Sequence, residues 1–414
     1  LFYGNTATNE MEITARAAIE KPVRQKEGKT RENSSQVETN RYTATLGTFI
    51  FGMAVIGLQI AWFRIFRIYM TNTSYTFSLI ASMVILGLFA GSRYFTSKGE
   101  KMVSSRSMIN LILITAAAVF AGFVILMKLP GLIMFPLAGN ENAYFMRIIV
   151  VPVISAMLVI LPVTFLSGFS FPLACALYAR DHHGVSSSIG RILLFNTAGT
   201  VIGPLITAFL LIPLRGAGLS VLFFVVFLLG AAFLLLRKQE TTRKSGVLKT
   251  ISVTVAAILF LVLIFIPEAR ILPPSFTRFD REIIEYRETV EGTWVVGREP
   301  GGKGAALSTY VNNSAVIGSS YDAIKVVKMV GHLPFYTGLK CQNVLVVGFG
   351  IGVTTSAIAS HPEVERIDCI ELVAGLKDAA HYYSGLNNNI QNDKRLNVIS
   401  GDGRNYLQAT GKKY

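Results

Sequence analysis

The chain has 414 residues, of which 51% are apolar and 15% charged, with a formal net charge of +14 and a mean hydropathy of +0.49. Soluble domains carry about 25% charged residues, so this composition excludes a disordered chain and argues against a wholly soluble one. The charge is unevenly spread: residues 1–266 hold 23 Lys and Arg against 10 Asp and Glu, and residues 267–414 hold 16 against 15. A basic excess confined to the apolar part reports orientation or lipid contact, and no nucleic-acid partner is expected. Cys175, Cys341 and Cys369 form no CxxC pair, so neither a disulfide framework nor a zinc site is indicated.

Residues 1–42 are polar and read as a flexible basic arm or linker, with Arg16, Lys21, Arg24, Lys26, Lys29, Arg31 and Arg41. They show no signal-peptide cleavage pattern, and Leu1 in place of Met leaves the start expected to be missing. Apolar runs follow near 43–63, 75–95, 108–128, 148–178, 192–213, 217–236 and 247–266. Each approaches or exceeds the roughly 20 residues that a helix needs to cross a bilayer. The fourth carries Pro152, Pro162 and Pro172, which predicts a kink or tilt. The short stretch 129–138, with Pro130 and Pro136, reads as interfacial or re-entrant.

Gly87-x3-Gly91 and Gly199-x3-Gly203 have the spacing that lets membrane helices approach closely, although glycine is common in such helices anyway. Asn196 lies inside the fifth run and is expected to seek a polar partner across the bundle. No Asp or Glu lies within the seven runs. Ion-coupled transporters place such groups near the midplane, so a transporter is disfavoured. Counting the arm, 18 of the 23 positive residues fall in the arm and the 93–107, 179–191 and 237–249 loops; the rest are Arg64, Arg67, Lys128, Arg147 and Arg215. The positive-inside rule then puts the arm and these loops in the cytoplasm and residues 267–414 on the opposite side.

After Pro273-Pro274 the pattern changes. Glu282–Arg287, Thr293–Gly297 and Ala306–Val311 read as short strands of a small β cap, and Tyr321–Leu333 as a helix. Asn343–Val347 is an apolar strand running into Gly348-Phe349-Gly350-Ile351-Gly352 and then a helical stretch, Val353–Ser360. Such a turn brings backbone close to a ligand at a helix start. The next strand, Arg366–Ile370, ends at Glu371, where an acid can hold both ribose hydroxyls. A third, Leu396–Ile399, ends at Gly401-Asp402-Gly403, where Asp402 can accept from an adenine amino group or cap the next helix. Either acid alone would also fit a solvated strand end; together with the loop they point to an adenosine-type site. His182-His183 beside Asp181 reads as a solvated loop pair, and His332 and His361 as helix or turn ends. No metal site is expected.

Val344-Leu345-Val346-Val347-Gly348-Phe349-Gly350-Ile351-Gly352-Val353-Thr354, His361-Pro362-Glu363-Val364-Glu365-Arg366, Glu371 and Gly401-Asp402-Gly403-Arg404 resemble the spermidine synthase (polyamine aminopropyltransferase) family, and its membrane-fused bacterial members above all. Tyr310-Val311-Asn312-Asn313 and Gly331-His332-Leu333-Pro334 extend the likeness upstream. In the apolar part it rests on Trp62-Phe63-Arg64, Gly87-Leu88-Phe89-Ala90-Gly91-Ser92, Ser167-Gly168-Phe169-Ser170-Phe171-Pro172 and Asn196-Thr197-Ala198-Gly199. The resemblance implies a multi-pass α-helical membrane bundle of about seven spans, a small β cap and a methyltransferase-like α/β Rossmann domain truncated at its C-terminal end. The domains would be 1–42, 43–266, 267–320 and 321–414.

It further implies that Gly348, Gly350, Gly352 and Gly403 line a nucleoside pocket, with Glu371 on the ribose and Asp402 on the adenine. Decarboxylated S-adenosylmethionine, or a related nucleoside, would be the co-substrate, with no tightly bound cofactor. An aminopropyl group would pass to a polyamine acceptor, which needs an acid to deprotonate the amine. The family's catalytic acid would lie beyond Tyr414. Its amine-binding Gln has no clear counterpart, Val316 or a neighbour standing there, and Leu372-Val373-Ala374 lack the usual acid-Pro. The expectation is therefore an integral protein of a bacterial inner membrane that is either a membrane-anchored spermidine synthase-like enzyme or an inactive subunit or scaffold of a larger complex. Its partners would be the lipid bilayer and a second copy or other membrane subunits. Decarboxylated S-adenosylmethionine is cytosolic, so the side on which the domain lies bears on the choice.

Overall fold

The computed structural model describes residues 6–70, 74–134, 145–179, 185–238, 251, 254–260, 265, 269–274, 276, 279–302, 305–318 and 320–414. The N-terminal part contains α1 (Thr6–Tyr69), α2 (Ser74–Lys98), α3 (Ser105–Leu129), α4 (Val151–Val159), α5 (Leu161–Ala179), α6 (Val185–Ile206) and α7 (Ile212–Lys238). Among the described residues, five helices are long and apolar enough to cross a membrane. Residues 6–42, expected as a flexible arm, are instead continuous with the first apolar run in α1. They are rich in Ala, Glu, Lys and Arg, which favour a helix. His182 and His183 lie outside the described residues, as does most of 247–266.

The fourth apolar run divides into α4 and α5 at Ile160. Pro162 has no N–H to return to Leu158, so the helical ladder is interrupted there while Pro172 is absorbed within α5. The stretch Ser186–Lys238 is helical and strongly apolar, but it is not one long rod. Gly216 has φ 79° and ψ 165°, and both Thr207 and Phe224 lie against Gly57 of α1. The chain therefore doubles back at Gly216, which separates the fifth and sixth runs as the sequence suggests.

Close helix contacts are made through glycine. A Cβ on Gly91 would overlap the Phe165 carbonyl oxygen, and one on Gly168 the Leu88 carbonyl oxygen, so α2 and α5 meet backbone to backbone. Gly199 and Gly203 stand in the same relation to Phe49 and Met53 of α1. In lipid, where apolar side chains gain little by burial against each other, such dispersion contact is what holds helices together. Asn196 faces Gly52, its backbone oxygen 2.5 Å from where a Cβ would stand.

The two ends of the bundle differ. At one end the Ser105 hydroxyl donates to Asn40 Oδ1 at 2.7 Å, Arg191 Nη1 to the Tyr178 hydroxyl at 3.4 Å, and Lys238 Nζ lies 3.6 Å over the Tyr42 ring. Among the described residues, Asn40, Tyr42, Ser105, Tyr178, Arg191 and Lys238 thus gather there. At the other end are the Gly216 turn and the Tyr69 hydroxyl, which donates to the Leu126 carbonyl at 2.9 Å. The Ala269 carbonyl oxygen is 2.6 Å from a Cβ built on Gly218, which puts Ala269 at this end as well.

The C-terminal part docks on this second end. Strands β1 (Glu282–Glu288), β2 (Thr293–Arg298), β3 (Leu307–Val311) and β4 (Ser314–Gly318) form an antiparallel meander in chain order. The first three match expectation; β4 is an addition, closed by the two-residue turn Asn312-Asn313 with Asn312 at φ 55°. Asn tolerates that conformation, which is why this pair favours hairpins. Then come α8 (Tyr321–Tyr336), β5 (Asn343–Val347), α9 (Val353–Ala359), β6 (Arg366–Glu371), β7 (Leu396–Ser400) and α10 (Gly403–Ala409). The three strands are parallel in the order β5-β6-β7, and β6, in the middle, is buried from Ile367 to Glu371.

Replacing Gly91 with Leu is expected to lower the melting temperature of the purified protein, by overpacking worth about 1–3 kcal/mol. Gly190→Ala, at a position with open space around it, serves as the control and should be near neutral. Equal melting of the two variants would show that the α2–α5 contact is not tight.

Candidate functional site

The parallel sheet positions the site. β5 delivers the chain into a turn where Gly348, Gly350 and Gly352 have φ of 92°, 57° and 81°, values that side-chain-bearing residues rarely adopt. Gly352 is the N-cap of α9. Glu371, at the end of β6, lies under this turn and is 7% exposed. Its Oε2 accepts from the N–H groups of Phe349 at 2.9 Å and Gly350 at 3.1 Å, and its Oε1 accepts from Val373 N–H at 2.9 Å. One carboxylate therefore holds the glycine turn against the neighbouring strand and also shapes the Leu372–Leu376 turn.

Above the glycine turn is a cavity of about 370 Å³. Its floor includes Gly348, Gly350 and Glu371, its roof Val311 and Val316 from the cap, and its side wall Leu372 and Leu376. Glu371 is the sole charged residue among the described residues lining it. Val316 Cγ1 comes within 3.1 Å of a Cβ position on Gly350.

Of the six residues predicted for the site, Gly348, Gly350 and Glu371 line this cavity directly. Gly352 packs beneath it, a Cβ there meeting Ile390 at 2.6 Å. Asp402 and Gly403 do not line it. Asp402 caps α10, its Oδ1 accepting from Arg404 N–H at 2.8 Å and Asn405 N–H at 3.0 Å, the helix-capping role that the sequence also allowed. Gly403 faces Val347. Val311 and Thr354, which stand within the motifs that carry the resemblance, also line the cavity, as does Leu376, which carried no sequence signal. The β4 hairpin could have been read from Asn312-Asn313.

Three further groups near the sheet are structural. Burial pushes the Cys369 thiol up to about 12, so it is protonated and inert. Asp368 is fully buried on β6. Burial raises its pKa, but hydrogen bonds from Asn397, Tyr414, Lys412 and Arg366 outweigh that and hold it well below the usual carboxylate range. His332 Nδ1 and His361 Nε2 share a hydrogen bond of 2.9 Å, and His361 stacks on Phe335, so this pair ties α8 to the turn after α9.

With this geometry in place, the relatives of the chain can be set beside it. Residues 324–414 match the spermine/spermidine synthase domain. The polyamine aminopropyltransferase of Methanocaldococcus jannaschii is 36% identical over 88 residues, which is 21% of this chain and 30% of that protein. That of Clostridioides difficile is 30% identical over 86 residues, 21% of this chain and 30% of the relative. Spermidine synthase in complex with the transition state analogue AdoDATO gives a TM-score of 0.28 at 18% identity, covering 31% of this chain and 43% of that one. The similarity to these proteins is confined to the C-terminal part of the chain. It spans about 30% of the length of the curated relatives it matches.

Replacing Glu371 with Gln removes the charge from three hydrogen bonds and turns an amide N–H toward a backbone donor. The expected loss is about 1.5–3 kcal/mol of stability in the C-terminal domain, with faster amide exchange at Phe349 and Gly350. Unchanged protection at those two amides would show that something else holds the turn.

Proposed function

We infer that the C-terminal domain binds a decarboxylated S-adenosylmethionine-type nucleoside and that the protein is a membrane-anchored aminopropyltransferase acting on a polyamine. The observation that carries this is the charge of the cavity. No Lys or Arg is among its described lining residues, and the two turn N–H groups that could hold a phosphate are taken by Glu371. A dinucleotide or nucleotide phosphate would therefore meet a carboxylate and no cation. A nucleoside, or a nucleoside carrying a sulfonium cation, fits the same surroundings. Each carboxylate oxygen has two lone pairs, and Oε1 has one backbone donor, so Glu371 retains capacity for a ribose hydroxyl.

In the reaction an amine lone pair attacks the propyl carbon bound to sulfur. The C–S bond breaks, its electron pair stays on sulfur as a thioether, and the amine loses a proton. The apolar roof excludes water from the attacked carbon and keeps the sulfonium charge poorly screened, which favours its collapse to a neutral thioether. Named relatives are polyamine aminopropyltransferases, which supports the same choice of chemistry.

A second reading is favoured by a specific observation. Glu371 is engaged by backbone donors, and the roof and wall around it are Val311, Val316 and Leu372. On this reading the domain binds a nucleoside without turnover, as a subunit or scaffold of a membrane complex.

Calorimetry on the purified protein tests the shared part of both readings. Methylthioadenosine is expected to bind and NAD not to; no binding of methylthioadenosine, or preference for NAD, would overturn them. Formation of spermidine from putrescine and decarboxylated S-adenosylmethionine then separates enzyme from scaffold.

We place the basic loops in the cytoplasm and residues 267–414 on the opposite side of a bacterial inner membrane. Support comes from the charge count and from the docking of the domain on the end away from Lys238. With Cys175, Cys341 and Cys369 replaced, a membrane-impermeant thiol reagent applied to intact cells should label Glu282→Cys and spare Lys249→Cys. The reverse pattern would put the domain in the cytoplasm, beside its donor, and favour the enzyme.

A further inference from the structure

Arg64 and Arg67 are the charged residues at the end of the apolar stretch of α1, and Arg64 is 8% exposed. A buried guanidinium is tolerated only where acceptors compensate it. Its Nη2 donates to the carbonyls of Thr289 at 2.6 Å and Val290 at 2.5 Å. Both belong to the turn between β1 and β2, so a bundle helix reaches into the cap.

Glu288 answers from the other side. Its Oε2 accepts from Ala217 N–H at 2.9 Å, the first free donor after the Gly216 reversal, and its Oε1 accepts from the Tyr286 hydroxyl at 2.6 Å. A Cβ on Gly216 would overlap that carboxylate. Burial pushes the Glu288 carboxyl pKa up, against hydrogen bonds from Tyr286 and Ala217 and the charge of Arg64. A third contact joins the parts: the Asn313 side-chain amide donates to the Met70 carbonyl at the end of α1.

These contacts converge on the nucleoside cavity. Asn313 sits in the β3–β4 turn between Val311 and Val316, the two roof residues. The β1–β2 turn held by Arg64 lies beside it, since Thr293 N–H donates to Asn312 Oδ1 at 3.2 Å. A second cavity of about 410 Å³ at the joint is lined by Gly216, Glu288, Ala374 and Gly375. The residues flanking that last pair, Val373 and Leu376, wall the nucleoside cavity.

We propose that Arg64 and Glu288 are positioning residues for the nucleoside site: from the end of the apolar bundle they hold the roof hairpin and the wall turn in register with the glycine turn. The assignment rests on the nucleoside reading given above. It makes the bundle part of the binding apparatus as well as an anchor. The physical reason is that a shift of the cap would separate Arg64 from its two carbonyl acceptors and Glu288 from the Ala217 donor, so these contacts favour one seat for the cap.

The test uses the full chain in lipid nanodiscs, with two readouts. Methylthioadenosine affinity is measured by calorimetry, and the distance between spin labels at Tyr75→Cys and Tyr321→Cys by electron–electron resonance. Arg64→Gln and Glu288→Gln should each weaken binding by about tenfold or more and broaden the distance distribution. Arg64→Lys keeps a donating cation and should bind within about threefold of the parent. If Arg64→Gln does not fold, Glu288→Gln and Arg64→Lys decide. Parental affinity in Glu288→Gln, or loss in Arg64→Lys equal to that in Arg64→Gln, overturns the assignment while leaving the nucleoside reading intact. A parent that binds no methylthioadenosine overturns the reading and the assignment with it.

Discussion

Glu288 is the point at which the three parts of this chain meet. Its carboxylate satisfies the exposed start of a bundle helix at Ala217 and takes a hydrogen bond from Tyr286 on its own strand. The adjoining turn accepts from Arg64 of another bundle helix. A helix interrupted at its apolar end leaves backbone donors without intrahelical partners. Capping them from the cap domain solves that problem and fixes where the domain sits. The fold of the C-terminal part and the packing of the bundle are each self-consistent, but their relation depends on this one cluster of polar groups.

The site shows the same economy. Glu371 uses its charge on three backbone donors and so sets the shape of the glycine turn and of the neighbouring wall. The consequence for chemistry is selective. A glycine turn at a helix start is ordinarily suited to phosphate; here a carboxylate from β6 already engages two of its N–H groups. The apolar residues of the cap complete the enclosure, and they come from the part of the domain that touches the bundle.

Within the bundle, glycine does what hydrophobicity cannot. The two closest helix crossings, α2 with α5 and α1 with α6, are made where Gly91, Gly168, Gly199 and Gly203 remove the side chain from the line of contact. The reversal at Gly216 uses glycine differently, for its backbone freedom. Tight crossings near α1 leave its far end at a defined place, which is where Arg64 and Met70 are needed.

By itself the sequence determined the local elements: the apolar runs, three of the four cap strands, the helix that follows them and the strand, glycine turn and helix of the site, because periodicity and turn residues act over a few positions. It also marked Gly348, Gly350 and Glu371, since an acid one strand beyond a glycine turn is a spacing that geometry requires. What it left open were relations between distant residues. That Asp402 caps α10 outside the cavity while Glu371 turns inward is decided by which strand end faces the turn, and residues 6–42 joined α1 where composition alone suggested a free arm. That Arg64 seeks two carbonyls more than two hundred positions away, and that Val311 and Val316 become a roof, cannot be written in any local pattern. Only the tertiary structure decides them, because the free energy of a buried charge or an apolar wall depends on what the rest of the chain brings beside it.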